Sequence, residues 1–369
     1  MNTGKRLLSL DALRGFDMMF IMGVSTIIER ICALFNGGEN CWLARQMSHV
    51  DWNGLRHHDT IFPLFLFIAG IAFTYSYGKM VAKGATRGQI YRKIITRGIA
   101  LFLLGLVYNG LFNLDFANLR FCSVLARIGF AWMFAALLFI NFKPKTRVVI
   151  SAVILVGYYA LIRFVAAPDY PGADPLSMEG NLVGYIDRLV MRDHLLYKGV
   201  FDPEGILSIL PAIVTAMLGM FTGEFIKQPE SKVSGNRKTV MMFAAAAVML
   251  AVGLVWSLDF PINKALWSST FVPVVGAYSL AMFALFYYLI DVKGWKRWTK
   301  FFEVIGRNSI TIYMIQTFVS FWAMSQFFFG GLAGLCSQPV GDLILAIGKF
   351  GLAWLFLWFL YKKDSFFKV

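Results

Sequence analysis

The sequence predicts an all-α fold: a polytopic integral membrane protein with about ten membrane-spanning helices in one domain, residues 1–369. Three observations lead there. Hydrophobic residues make up 58% of the chain and charged residues only 15%, with a mean hydropathy of +0.64, whereas soluble chains carry about 25% charge. Apolar runs recur from end to end, each near the ~20 residues that cross a ~30 Å hydrocarbon layer. Such runs are too long for barrel strands, and backbone in lipid must satisfy its own hydrogen bonds, so the spans are helices.

The spans read in order at 9–34, 59–80, 97–113, 122–141, 147–167, 206–226, 239–258, 267–290, 306–329 and 340–361. The first follows Lys5-Arg6 but contains Asp11, Arg14 and Asp17. Those charges interrupt the apolar core that a cleavable signal needs, so it reads as a retained helix. Asp59 opens the second span, where a carboxylate can cap exposed N–H groups. Arg120 and Arg127 flank the start of the fourth, and Gly306-Arg307-Asn308-Ser309 opens the ninth. Helix starts of this kind can hold phosphates or other anions, while Arg120 and Arg307 can equally snorkel to the interface. The connections are short except for an outer loop at about 168–205, rich in Tyr, Asp and Pro. A loop of that length suits a lid or a polar-substrate surface, or an external loop with Tyr at the interface.

Charge then orients the chain. The net charge is +14, and its bases fall on alternate loops: Lys5, Arg6 and Arg14; Lys79 to Arg97; Lys143 to Arg147; Lys227 to Lys238; Lys293 to Arg307; and Lys362, Lys363 and Lys368. The positive-inside rule places these loops and both termini in the cytoplasm. The basicity thus reports topology and excludes a nucleic-acid partner, leaving the lipid bilayer as the bulk contact. Cys32 and Cys41 fall on the other side, where they can pair or remain thiols. No metal-ligand spacing appears, and no metal is expected.

Two constellations carry chemistry. Asp11, Arg14 and Asp17 share one helix face, either as a self-neutralising cluster or with Arg14 meeting an anionic cofactor from the cytoplasm. On the opposite side, Ser48-His49-Val50-Asp51-Trp52-Asn53-Gly54-Leu55-Arg56-His57-His58-Asp59 packs three histidines against the mouth of an apolar helix. Groups that move protons are costly at membrane depth, so function is their default explanation. His49 precedes Asp59 by ten residues across a Trp-Asn-Gly turn; Asp59 can cap its helix or orient an imidazole.

These residues carry a resemblance. The segments Ser9-Leu10-Asp11-Ala12-Leu13-Arg14-Gly15, His49 to Leu55 with Asp59 and Phe62-Pro63, and Val124 to Gly129 resemble the heparan-α-glucosaminide N-acetyltransferase family. So do Phe201-Asp202-Pro203-Glu204-Gly205, Phe260-Pro261-Ile262-Asn263-Lys264-Ala265-Leu266-Trp267-Ser268 and Arg307-Asn308-Ser309-Ile310. The family's bacterial relatives include NagX-type inner-membrane proteins of the transmembrane acyltransferase superfamily. The resemblance implies transfer of acetyl from cytosolic acetyl-CoA to an amino sugar or glycan beyond the membrane. It maps the proposed active histidine to His49, with Asp59 and Asn53 beside it. His49 then acts as base or as acetyl carrier, direct transfer being preferred, and Asn53, Asn263 or Asn308 supplies amide donors. Arg14, Arg97, Arg127, Lys264 and Asn308 become candidates for holding acetyl-CoA, with Arg14 and Arg97 the better placed for its phosphates. A homodimer is implied. The lysosomal enzyme's lumenal domain has no counterpart in the sequence, which with the short loops favours a bacterial inner membrane. The competing reading is a transporter for N-acetylglucosamine or another sugar.

Overall fold

A computed structural model describes residues 7–35, 38, 41–197 and 199–367; Lys5, Arg6 and Lys368 of the charge reading lie outside them. Among the described residues the regular structure is helical, with isolated bridges only at Ala166–Asn181 and Tyr197–Phe201. The order is α1 (Leu8–Met19), a π-turn (Phe20–Val24), α2 (Ser25–Leu34), α3 (Trp42–Arg45), α4 (His57–Ala82), α5 (Arg87–Tyr108), α6 (Val124–Asn141) and α7 (Pro144–Phe164). There follow α8 (Leu182–Met191), α9 (Ile209–Ile226), α10 (Gly235–Trp256), α11 (Phe271–Phe286) with a π-turn to Val292, α12 (Thr299–Arg307), α13 (Ser309–Phe318), α14 (Phe321–Gly334) and α15 (Gln338–Lys362).

The chain is an integral membrane protein. Among the described residues, seven helices are long and apolar enough to cross a bilayer: α4, α6, α7, α9, α10, α11 with its π-turn, and α15. The other three expected spans take less uniform forms. The first is interrupted by the π-turn, where Gly23 adopts a φ of 144°, which strongly favours glycine. The third falls on α5, whose first three turns, Arg87 to Arg97, carry four bases and which ends at Tyr108. The ninth breaks after Arg307 and again at Val319–Ser320.

The centre is the α4–α9 pair, because small residues let two backbones approach closely. A Cβ on Gly70 of α4 would collide with the Ala216 carbonyl oxygen, and one on Gly219 of α9 with that of Phe67. Around this pair one apolar cluster joins α4, α6, α9 and α11 through Phe62, Leu66, Trp132, Met217 and Phe271. A second brings α1 and α11 against α4 through Leu13, Leu64, Phe67 and Phe283. Conversely α7, α10 and α15 expose apolar side chains such as Val153, Val248 and Leu355, as lipid-facing helices should.

The long outer loop is folded. It carries α8, and Arg188 locks its base through a two-pronged pair to Asp169 at 2.7 and 2.8 Å. Arg120, expected at the interface, is instead clamped to Asp202 at 2.6 and 2.7 Å and to Glu204, fixing the loop's return to α9. Cys32 and Cys41 are free thiols.

Candidate functional site: a cavity between His49 and a basic arginine cluster

The His49 loop is held on three sides. Gln46 receives the first N–H groups of α4, His57 N on its side-chain oxygen and His58 N on its carbonyl, each at 3.0 Å. Arg56 reaches back and donates to the His49 carbonyl at 2.7 Å and to Ser48 Oγ at 2.8 Å. The Trp52-Asn53-Gly54 turn makes the third attachment. Trp52 Nε1 donates to Leu176 O at 2.8 Å, Asn263 Nδ2 to Asn53 Oδ1 at 3.1 Å, and Gly54 N to Ile262 O at 2.8 Å. The last two bonds carry the 259–268 segment, and with it Lys264, to the histidine.

Asp59 fills both of its anticipated roles. It is fully buried, one oxygen accepting Arg56 N–H at 3.0 Å as a helix cap and the other lying 2.7 Å from His49 Nδ1. A carboxylate only accepts, so the short bond assigns the His49 proton to Nδ1 and leaves Nε2 with a lone pair. Lys264 Nζ stands 2.9 Å from His49 Nδ1 and 3.5 Å from Asp59 Oδ1. An Nδ1–H cannot also accept, so Lys264 serves the carboxylate and the Nε2 lone pair, which lies 3.4 Å from Nζ. Burial pulls the Lys264 ammonium below the usual lysine range, and the neighbouring Asp59 partly restores it. The His49 side chain is 54% exposed, open to an approaching molecule while its partner is sealed away.

The other two histidines diverge. His57 turns into the helix bundle, with Nε2 3.1 Å from Tyr278 Oη and its ring 4.6 Å from that of Phe20. His58 faces the same space as His49, their ring centroids 4.5 Å apart.

That space is the mouth of a cavity of about 390 Å³. One face of α4 lines it, through His58, Ile61, Phe62, Phe65, Ala69 and Ala72. From His58 to Ala72, fourteen steps of ~1.5 Å carry this lining over about 21 Å, two-thirds of a hydrocarbon layer. At the far end stand Arg14, Arg97 and Arg307, toward the basic loops. Arg97 stacks over Trp132 at 4.5 Å and its buried Nε has no protein partner, so the guanidinium can serve an anion. Arg14 lies 3.4 Å from Asp11, as the shared helix face suggested.

The remaining candidates sit elsewhere. Arg127 is fully buried, bonded to Ser208 and stacked 4.9 Å from Trp267, off the cavity lining. Asn308 is buried at the break between α12 and α13, its Oδ1 unpartnered, while its neighbours Arg307 and Ser309 line the cavity. Lys264 lies with His49, not with the arginines. Asn53 is committed to Asn263. Sequence reasoning missed Glu204 and Tyr313 in the lining and discounted Arg307 and His58. The helical spacing of His58 with Ile61, Phe62 and Phe65 was the available signal. No group of three or more metal-ligating side chains occurs among the described residues.

Residues 220–363 match a family described as "Protein of unknown function (DUF418)". Two curated proteins are similar over most of the chain. Heparan-alpha-glucosaminide N-acetyltransferase of Homo sapiens is 26% identical over 361 residues, covering 84% of this chain and 52% of its own length. The Mus musculus protein of the same name is 26% identical over 364 residues, covering 85% and 53%. The chain spans about half the length of these relatives. The resemblance read from its motifs therefore extends across nearly all of it.

Proposed function

For this chain, a homologue of the heparan-alpha-glucosaminide N-acetyltransferases, we propose a transmembrane acetyltransferase that moves acetyl from cytosolic acetyl-CoA to an amino sugar or glycan on the other side. The observation that carries the reading is the single cavity joining an arginine cluster to a carboxylate-supported histidine across most of a bilayer's depth. Acetyl-CoA is built for such a path: anionic phosphates at one end, a thin uncharged arm, and the thioester at the tip.

In this reading both termini and the basic loops are cytoplasmic. Arg14, Arg97 and Arg307 hold the phosphates, and the apolar α4 face takes the arm. The acceptor reaches His49 from its exposed side. Its amine attacks the acetyl carbon, the carbonyl pair moves onto oxygen, and His49 Nε2 takes the amine proton. Collapse breaks the C–S bond, and the thiolate takes up a proton as CoA leaves toward the cytoplasm. Asp59 holds the tautomer and offsets the charge that His49 gains. Direct transfer suffices, because acceptor and thioester meet at the same imidazole. A homodimer in a bacterial inner membrane completes the proposal, by resemblance and by the short loops.

The test supplies purified protein with radiolabelled acetyl-CoA and a panel of amino sugars. Label should pass to an acceptor with wild-type protein and not with His49→Ala. Protein-dependent sugar uptake into liposomes without any acetyl transfer would replace the reading with transport. Label retained on the protein when acceptor is omitted would replace direct transfer with an acetyl-histidine step.

A further inference from the structure

The second imidazole in the cavity has no part in the mechanism above, and its surroundings differ from those of His49 in one decisive respect. The His49 ring meets a carboxylate, whereas the His58 ring meets a hydroxyl: Nδ1 lies 3.4 Å from Oγ of Ser25, a buried residue on α2. With that hydroxyl as donor, the His58 proton resides on Nε2. Paired groups in unlike environments take opposite chemical roles. An imidazole bonded to a carboxylate is suited to gain a proton; one bonded to a hydroxyl is suited to stay neutral and donate a hydrogen bond.

Position adds to this. His58 occupies the first turn of α4 at the head of the lining face, and its ring stands edge-on to His49 at 65°. A carbonyl carried up the cavity to within reach of His49 would also come within reach of His58, whose ring lines the same space. The titratable groups facing His58 are His49, Lys264 and Asp59, with His57 beside it on α4. Asp59 is already committed to His49 and to the α4 cap, and Lys264 to Asp59 and the His49 ring. His58 adds a neutral ring that lines the same space and is tied to neither Asp59 nor Lys264.

We propose that His58 donates an Nε2–H hydrogen bond to the acetyl oxygen as it becomes an oxyanion, and that Ser25 is the positioning residue that holds its tautomer. No proton changes hands at His58: the amine proton goes to His49, and the oxyanion returns its pair as the C–S bond breaks. The proposal rests on the acetyl-transfer reading and deepens it.

Steady-state transfer from acetyl-CoA to glucosamine tests it with wild type, His58→Ala, His58→Gln and Ser25→Ala, each checked for an unchanged melting midpoint. His58→Ala should lower kcat about 10²- to 10³-fold, as removal of one oxyanion donor does, with both KM values nearly unchanged. His58→Gln keeps an N–H donor and should recover at least about tenfold of that loss. Its acid pH limb should stay where the wild type has it. Ser25→Ala should lower kcat by a smaller factor. Full activity in His58→Ala overturns the proposal alone, as does an equal loss in the Ala and Gln variants. A pH limb displaced in His58→Gln also overturns it, since His58 would then act through His49. A wild type that transfers no acetyl overturns the functional reading and this role together.

Discussion

Asp59→Asn separates the buried carboxylate's work on His49 from its work on the helix. The substitution keeps shape and volume. Its amide can offer oxygen to His49 Nδ1–H, turning NH2 against the Arg56 and Val50 N–H groups that now donate at 3.0 and 3.4 Å. Or it can keep oxygen on those N–H groups and offer NH2 to Nδ1, which forces the proton to Nε2 and removes the base. The first arrangement loses the cap, about 1 kcal/mol. The second loses general-base catalysis, worth about 10²- to 10⁴-fold, or about 2.7–5.4 kcal/mol in the barrier. Both leave Lys264, only 18% exposed, without its carboxylate. The ground state chooses between them, not the barrier: the first arrangement sets NH2 against two N–H donors and leaves them unsatisfied, so the second wins, and kcat should fall by at least about a hundredfold while the melting midpoint moves little. The assay is acetyl transfer at saturating acetyl-CoA and acceptor, beside a thermal melt. A kcat close to wild type with an intact fold would refute the assignment of Asp59 as the group that sets the His49 tautomer.

Three further outcomes follow from the geometry. Arg97→Gln removes a cation whose charge-assisted bonds are worth about 1.5–3 kcal/mol, so KM for acetyl-CoA should rise about 10- to 150-fold with little change in kcat; an unmoved KM takes Arg97 out of the phosphate site. Gly70→Ala overpacks the α4–α9 contact and should cost about 1–3 kcal/mol, read as a lower melting midpoint; an unchanged midpoint means the helices can part without loss. Burial pushes the Asp187 carboxyl on α8 up to about 7, so between its unfolded value near 3.9 and about 7 the folded protein keeps a proton that the unfolded chain has lost. Stability should therefore fall as pH rises through that window, and Asp187→Asn should flatten the decline in a series of melts from pH 4 to 8. Parallel slopes for the variant and wild type would show that another group carries the pH dependence.

Much of the fold was legible because lipid imposes a simple rule on composition. The spans that became α4, α6, α7, α9, α10 and α15 are uninterrupted apolar runs, and their ends fall within a few residues of the helix ends. The less regular spans were hidden by the same rule. Nothing in average hydropathy reports a π-turn at Phe20–Val24 or a break at Asn308, since both arise where packing bends the backbone. In the site, His49 and Asp59 stood out because they share one short polar segment. Arg307 and Glu204 did not, because each also has an ordinary interfacial explanation.

By itself the sequence determined that this chain is a helical membrane protein, where its seven long apolar helices run, and that its proton-active residues gather at one end of one of them. Those features follow from residue-by-residue transfer to lipid, a sum that needs no tertiary contact. Tertiary structure alone decided that Lys264, 215 residues away, lies 2.9 Å from His49. It also turned His57 away from the site and His58 toward it, sent Arg127 into the core, and aligned Arg14, Arg97 and Arg307 on the cavity of His49. Such outcomes depend on which helix faces meet, and close approaches such as Gly70 against Gly219 and Gly15 against Gly306 fix those faces.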